Sequence, residues 1–280
     1  MKTARASSRR ARSEARRAAD STAVRTGARA GFAARGALYL LIAVLSLRIA
    51  FADGGGKQAD RGGALKELSG QPFGSVLLWT LGIALGGMAL WRFSEAAFAT
   101  TGTEHKARGR ALAAARGLFY AFVCYSVLSY AVGSKDSGSG ESDDQSQDVT
   151  ARALEWTGGQ WIVGLAGAAV IGAGLTIAVR AALRKFHKHL KLSEMSRPVR
   201  RAVDITGVVG GVARGLLFAS AGGFAVRAAV EHKAGQAKGM DDTLRSFVEM
   251  PAGPWLLALI AVGLGAFGVF SFLSARWRKV

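Results

Sequence analysis

The sequence predicts an all-α integral membrane protein of six transmembrane helices, arranged as three parallel two-helix repeats with pseudo-threefold symmetry about the membrane normal. Three observations carry this expectation. Long apolar blocks run almost free of charge, Lys and Arg are distributed unevenly among the segments that join them, and one short pattern recurs three times.

A hydrocarbon core about 30 Å thick takes roughly 20 apolar residues of helix, each rising about 1.5 Å. Six windows satisfy this, at residues 32–52, 73–97, 111–133, 159–183, 207–230 and 253–275. The blocks lack the dyad alternation of an outer-membrane barrel. A soluble helical protein would need a polar face on every helix, whereas Thr176 is the only polar side chain in the fourth block from Trp161 to Val179. The first block lies too far from the N-terminus for an ordinary signal peptide, and the Arg9-Arg10 pair is too distant from it for twin-arginine export. Residues 1–29 read as a disordered or interfacial basic arm. The three repeats follow at 30–100, 108–190 and 206–278.

The formal charge is +18. In a soluble protein that would point first to nucleic acid, but here the charges sit between apolar blocks and no nucleic-acid partner is expected. Cytoplasmic loops of membrane proteins are rich in Lys and Arg. One set of loops and termini holds 24 of them and the other 8, while Asp and Glu run the opposite way, 6 against 13. Both termini are therefore expected in the cytoplasm, with the chain in a bacterial inner membrane. Residues 133–148 are too polar to pack and read as a flexible acidic linker outside. The single cysteine, Cys124, lies within a span and reads as a small hydrophobe.

The odd-numbered spans open alike, as Ala34-Arg35-Gly36-Ala37-Leu38-Tyr39, Ala115-Arg116-Gly117-Leu118-Phe119-Tyr120 and Ala213-Arg214-Gly215-Leu216-Leu217-Phe218. Short amphipathic pieces follow around Leu65, Leu154 and Leu244, each with a Gly/Pro turn after it, such as Gln71-Pro72-Phe73-Gly74. The even-numbered spans share small-residue patches at Gly86-Gly87, Gly172-Ala173-Gly174 and Gly265-Ala266-Phe267-Gly268. Three matches in one order make a repeat. With the closing Ala275-Arg276-Trp277, this pattern resembles the bacterial family called domain of unknown function 1206, over about residues 31–278. The resemblance implies membrane location and a two-helix unit used three times, and nothing catalytic. Units that each cross the membrane twice enter from one side and are parallel, and their glycines suit close helix packing in lipid.

Arg35, Arg116 and Arg214 are the leading candidates for a site. Each stands at a helix N-terminus, where free N–H groups and the macrodipole also favour an anion. Each has an aromatic four residues on, in Tyr39, Tyr120 and Phe218. They could bind lipid phosphate or guide an anionic solute, or they could be anchors whose stems snorkel to headgroups. Arg48 and Arg227 are secondary candidates, with Asp53 and Glu231 nearby as ion-pair partners at the outer face. The middle repeat has Ser129 at the corresponding place.

His187 and His189 lie in the most basic loop, where neighbouring Lys and Arg would repel a metal, so no metal site is expected. Residues 179–192 read as a basic amphipathic helix drawn to anionic lipid. Trp91, Trp161, Trp255 and Trp277 read as interfacial belt residues. No P-loop, dinucleotide fingerprint, zinc-protease motif or catalytic triad is present, so neither a cofactor nor an enzyme is expected. The leading functional expectation is a non-enzymatic protein that organises lipid or partners, with anionic headgroups on the cytoplasmic side as its partners. The alternative is a small-solute or ion transporter or channel at the repeat interface, which should show broken helices or midplane polar groups. An intramembrane enzyme is a third and weaker reading.

Overall fold

The computed structural model describes residues 22–51, 59–98, 107–132 and 142–279. Among the described residues, six helices are long and apolar enough to cross a membrane. They are α1 (Thr22–Phe51), α3 (Gly74–Phe98), α4 (Ala107–Ala131), α6 (Gly159–Ala182), α7 (Arg197–Glu231) and α9 (Gly253–Trp277). Three short helices connect them on one face, namely α2 (Arg61–Ser69), α5 (Ser142–Leu154) and α8 (Met240–Val248). Among the described residues no strand forms beyond an isolated antiparallel bridge between Leu190 and Arg278.

The most extensive contacts join different repeats, α3 with α4, α6 with α7, and α9 with α1. The Ala-Arg-Gly openings explain why. A Cβ built on Gly36 would meet the Gly268 carbonyl at 3.0 Å, and one on Gly215 would meet the Gly174 carbonyl at 2.6 Å. In the middle repeat, Gly117 receives the Phe93 ring, at 2.9 Å from such a Cβ. Each opening glycine thus seats the first helix of one unit on the second helix of the unit before it, with the first unit resting on the last. Within units, α1 packs on α3 and α7 on α9, but α4 and α6 do not pack extensively on each other. At this seam the equivalence expected of a threefold arrangement is not met.

The interior midway along the spans is largely apolar, with the hydroxyls of Ser46 and Ser126 buried beside it. Leu38, Ile42, Leu85, Val127, Leu217 and Leu264 belong to one buried cluster drawn from five of the six spans. On the face carrying the short helices, Asp60 caps α2 by accepting from the Gly63 N–H, and Asp241 accepts from the Ala59 N–H at 2.6 Å.

Several sequence expectations need correction. Helix α1 begins at Thr22, so the last part of the expected arm is continuous with the first span; residues 1–21 lie outside the described residues. The expected linker at 133–148 is helical from Ser142 onward. Ser142-Asp143-Asp144 is a composition that favours a helix N-terminus, where acidic groups meet the positive end of the dipole. Residues 133–141 lie outside the described residues. The expected helix at 179–192 stops at Ala182, because Arg184 takes a left-handed conformation (φ 50°). A 3-10 turn, Lys185–His189, follows, and Leu190 then buries against Val203, Phe267 and Phe270.

Candidate anion-binding site

The basic end of the bundle is built from residues that recur at helical spacing. Phe32, Arg35 and Tyr39 share one face of α1. Phe267, Ser271 and Ser274 form a stripe on α9. Arg278 follows in extended conformation because the chain there pairs with the loop before α7: Lys191 N–H donates to the Trp277 carbonyl at 2.9 Å, and Lys279 N–H to the His189 carbonyl at 3.0 Å. Helix α3 contributes Trp91, Arg92 and Glu95, α4 contributes Tyr120, and α7 contributes Arg214 and Phe218.

These side chains form a ladder in which rings alternate with guanidinium groups. Arg92 lies over Trp91 at 4.3 Å, and the same ring receives Arg278 at 5.3 Å. Arg278 also lies 4.8 Å from Phe32, which Arg35 meets at 4.9 Å. Arg35 and Arg214 then share Phe267, at 5.1 and 4.9 Å. Arg214 finally contacts Phe218 at 5.2 Å and Tyr39 at 5.6 Å. Each contact of this kind stabilises by about 0.5–2 kcal/mol, more as water is excluded. Polar contacts complete the frame. Arg35 donates from Nε to Ser271 Oγ (3.1 Å) and from Nη1 to Tyr120 Oη (3.3 Å), and Ser271 donates to the Phe267 carbonyl.

The charge balance is one-sided. Among the described ion pairs, Glu95 alone reaches the ladder, bound to Arg92 at 2.6 Å with both side chains buried. Three buried polar atoms lack a hydrogen-bond partner among the described residues: Nε of Arg92, Nε of Arg214 and Oγ of Ser274. Burying cations without matching anions is costly. The groups just outside the spans register that cost. Burial first, then Arg92 and Arg35, pushes Arg278 down to about 9, which still leaves it charged at neutral pH. Burial first, then Arg278 and Lys188, pushes His189 down to about 4, so it stays neutral.

Of the three leading candidates, the structure brings Arg35 and Arg214 to one ring and therefore to within about 10 Å of each other. Arg116 is exposed and adds a minor share to the field at His189. None of the three stands at a helix N-terminus as expected, because their helices begin earlier, at Thr22, Ala107 and Arg197. The secondary candidates are on the opposite face, each against a carboxylate. Arg227 pairs with Glu231 at 2.6 Å, and Arg48 with Glu67 at 3.5 Å; Asp53 lies outside the described residues. Sequence reasoning missed Arg92, Arg278, Ser271, Ser274 and Phe267. One signal was available: a Trp-Arg pair near the end of the second helix in both the first and third units, Trp91-Arg92 and Trp277-Arg278. Trp91 is buried inside the ladder and is not a belt residue.

The chain matches the family described as Domain of Unknown Function (DUF1206) three times, over residues 30–99, 111–184 and 209–278. It is 28% identical over 252 residues to the uncharacterized protein YxxB of Bacillus subtilis (strain 168), a match that covers 90% of each chain. No solved structure matches. Neither match names a catalytic activity.

Proposed function

Taking as premise that the chain belongs to the DUF1206 family of three tandem repeats, we propose that it is a non-enzymatic membrane protein that binds an anion of the phosphate class at its arginine ladder. The observation that carries this reading is the convergence of Arg35, Arg92, Arg214 and Arg278 on shared rings with one carboxylate among them. Guanidinium groups suit phosphate oxygens because they present several donors in a fixed plane. Holding is favoured over passage, since the polar atoms of the ladder give way to a leucine-rich layer at mid-depth. By the excess of Lys and Arg at this end, the ladder faces the cytoplasm across a bacterial inner membrane, with both termini on that side.

Thermal unfolding of the full chain in neutral detergent tests the site. Inorganic phosphate should raise the melting temperature in a saturable way, and chloride at equal ionic strength should not. Arg35→Gln/Arg214→Gln should abolish the rise. A short-chain phosphatidylglycerol, tested beside phosphate, distinguishes a lipid headgroup from a free anion. An equal response to chloride, or an unchanged response in the double variant, would reject the site. The orientation has its own test. In a Cys124→Ala background, Ser139→Cys should be labelled by an impermeant maleimide from outside intact cells, and labelling only after lysis would reverse the topology.

A further inference from the structure

A second basic concavity, which shares no lining residue with the ladder, opens where α7 emerges from the apolar layer, with a volume of about 590 Å³. Helix α7 has 35 residues, and at about 1.5 Å per residue it runs well beyond a hydrocarbon core of about 30 Å. Its first turns therefore stand in the headgroup region or beyond. Four arginines line the upper part of the concavity, Arg197, Arg200 and Arg201 from α7 and Arg184 from across the turn. Ile205, Val208 and Val209 line the lower part, and Ile205 and Val209 are exposed.

Asp204 stands at the boundary between the two parts. Its carboxylate is already engaged, by the His187 ring nitrogen and by Arg184 at 3.9 Å. It thereby fixes the far wall without neutralising the other three arginines, none of which is paired with a carboxylate among the described residues. The left-handed turn at Arg184 swings that side chain toward α7, a conformation that a non-glycine residue adopts only at a cost. The first-turn N–H groups of α7 also lack a side-chain cap, since Ser196 makes no such bond.

We propose that this concavity holds one anionic phospholipid, with its phosphate among Arg197, Arg200 and Arg201 and an acyl chain along Ile205, Val208 and Val209. The polarity of the wall changes along α7 over the distance that separates a lipid phosphate from its first methylenes. From Arg201 to Val209 is roughly 12 Å of helix, against a headgroup layer of roughly 5–8 Å on each side of the core. A soluble phosphate would leave the apolar half unused, and a zwitterionic lipid would bring an ammonium group against the arginines.

Native mass spectrometry of the full chain in neutral detergent tests this. Phosphatidylglycerol should be retained at least tenfold more tightly than phosphatidylcholine. Arg200→Gln/Arg201→Gln should weaken that retention roughly 10- to 30-fold, while Arg200→Lys/Arg201→Lys should lose much less. Val209→Trp fills the apolar half without touching a charge, and it should also weaken phosphatidylglycerol. Equal retention of the two lipids, retention that neither the Gln pair nor the Trp variant weakens, or displacement by equimolar glycerol 3-phosphate would each overturn the proposal. The rise in melting temperature that phosphate produces at the ladder should be unchanged in Val209→Trp, so failure here and failure of the ladder give different results.

Discussion

The two ends of the bundle treat their arginines differently. On the face that carries the short helices, cations meet carboxylates: Arg48 with Glu67, Arg227 with Glu231, and Arg245 with Asp241. On the opposite face, the ladder arginines lie on Phe32, Trp91 and Phe267, and only Arg92 has a carboxylate among the described ion pairs. Aromatic faces attract a cation without cancelling its charge. The first arrangement is electrically closed and suits a structural role. The second keeps its field and suits a ligand.

Removing one carboxylate from each end puts this contrast to its hardest test. Glu95→Gln strands the buried Arg92 guanidinium and should cost about 3–5 kcal/mol, part of it recovered by added phosphate. Chemical unfolding in detergent with and without phosphate measures both quantities. A cost below about 1 kcal/mol would mean that the basic end is as tolerant as the other.

Next in size is Gly36→Leu. The new side chain would meet the Phe272 ring at 2.7 Å and the Gly268 carbonyl at 3.0 Å, prising α1 from α9 beside Arg35. Overpacking of this kind costs about 1–3 kcal/mol, and the phosphate response should weaken with it. Gly172→Ala is the control, because a Cβ there meets nothing within 4 Å. If the two substitutions lower the melting temperature alike, close approach is not what holds the ladder together.

A smaller effect is expected from pH. His189 is held well below its ordinary value of 6.5, at about 4, so the unfolded or undocked chain binds more protons between these values. Docking of the loop onto the C-terminal tail should therefore be fully favoured above about pH 6.5 and weaken as pH falls toward 4. Hydrogen exchange at the Lys191 and Lys279 amides reads this directly. His189→Asn should flatten the profile, and an unchanged profile in that variant would assign the pH dependence elsewhere.

Smallest of all is Glu231→Gln. Arg227 is 58% exposed in its pair with Glu231, and an exposed pair contributes about 0–1 kcal/mol. A loss above about 2 kcal/mol would show that the two ends share one energetic logic after all.

The spans were legible because membrane crossing imposes a local requirement, some 20 apolar residues in a row, which composition displays directly. Arg35 and Arg214 were legible because the repeat marks them. What those arginines touch was not, since the Phe267 ring they share lies on the last span. Arg92 and Arg278 looked like ordinary positive charges near helix ends. Their place in the ladder depends on α3 and α9 both flanking α1, a non-local fact. The bend at Arg184 was hidden for a related reason. Residues 179–192 have the composition of a surface helix, but Leu190 gains more by burying under Phe267 and Phe270 than by continuing the helix. Arg116 shows the opposite limit: it shares the motif of Arg35 and Arg214 but is exposed.

The closure of the first unit onto the last has a consequence for synthesis. Helix α1 leaves the ribosome before α9, yet it is the α9 surface that covers Gly36 and Arg35, and Arg278, which follows α9, completes the ladder. Until α9 is made, the inserted α1 carries Arg35 without its Ser271 and Phe267 partners and with the face of Gly36 uncovered. A nascent chain released before α9 would hold five inserted helices with the ladder unbuilt. Quality control that senses an exposed arginine in the bilayer would then distinguish chains that carry α9 and Arg278 from chains that do not.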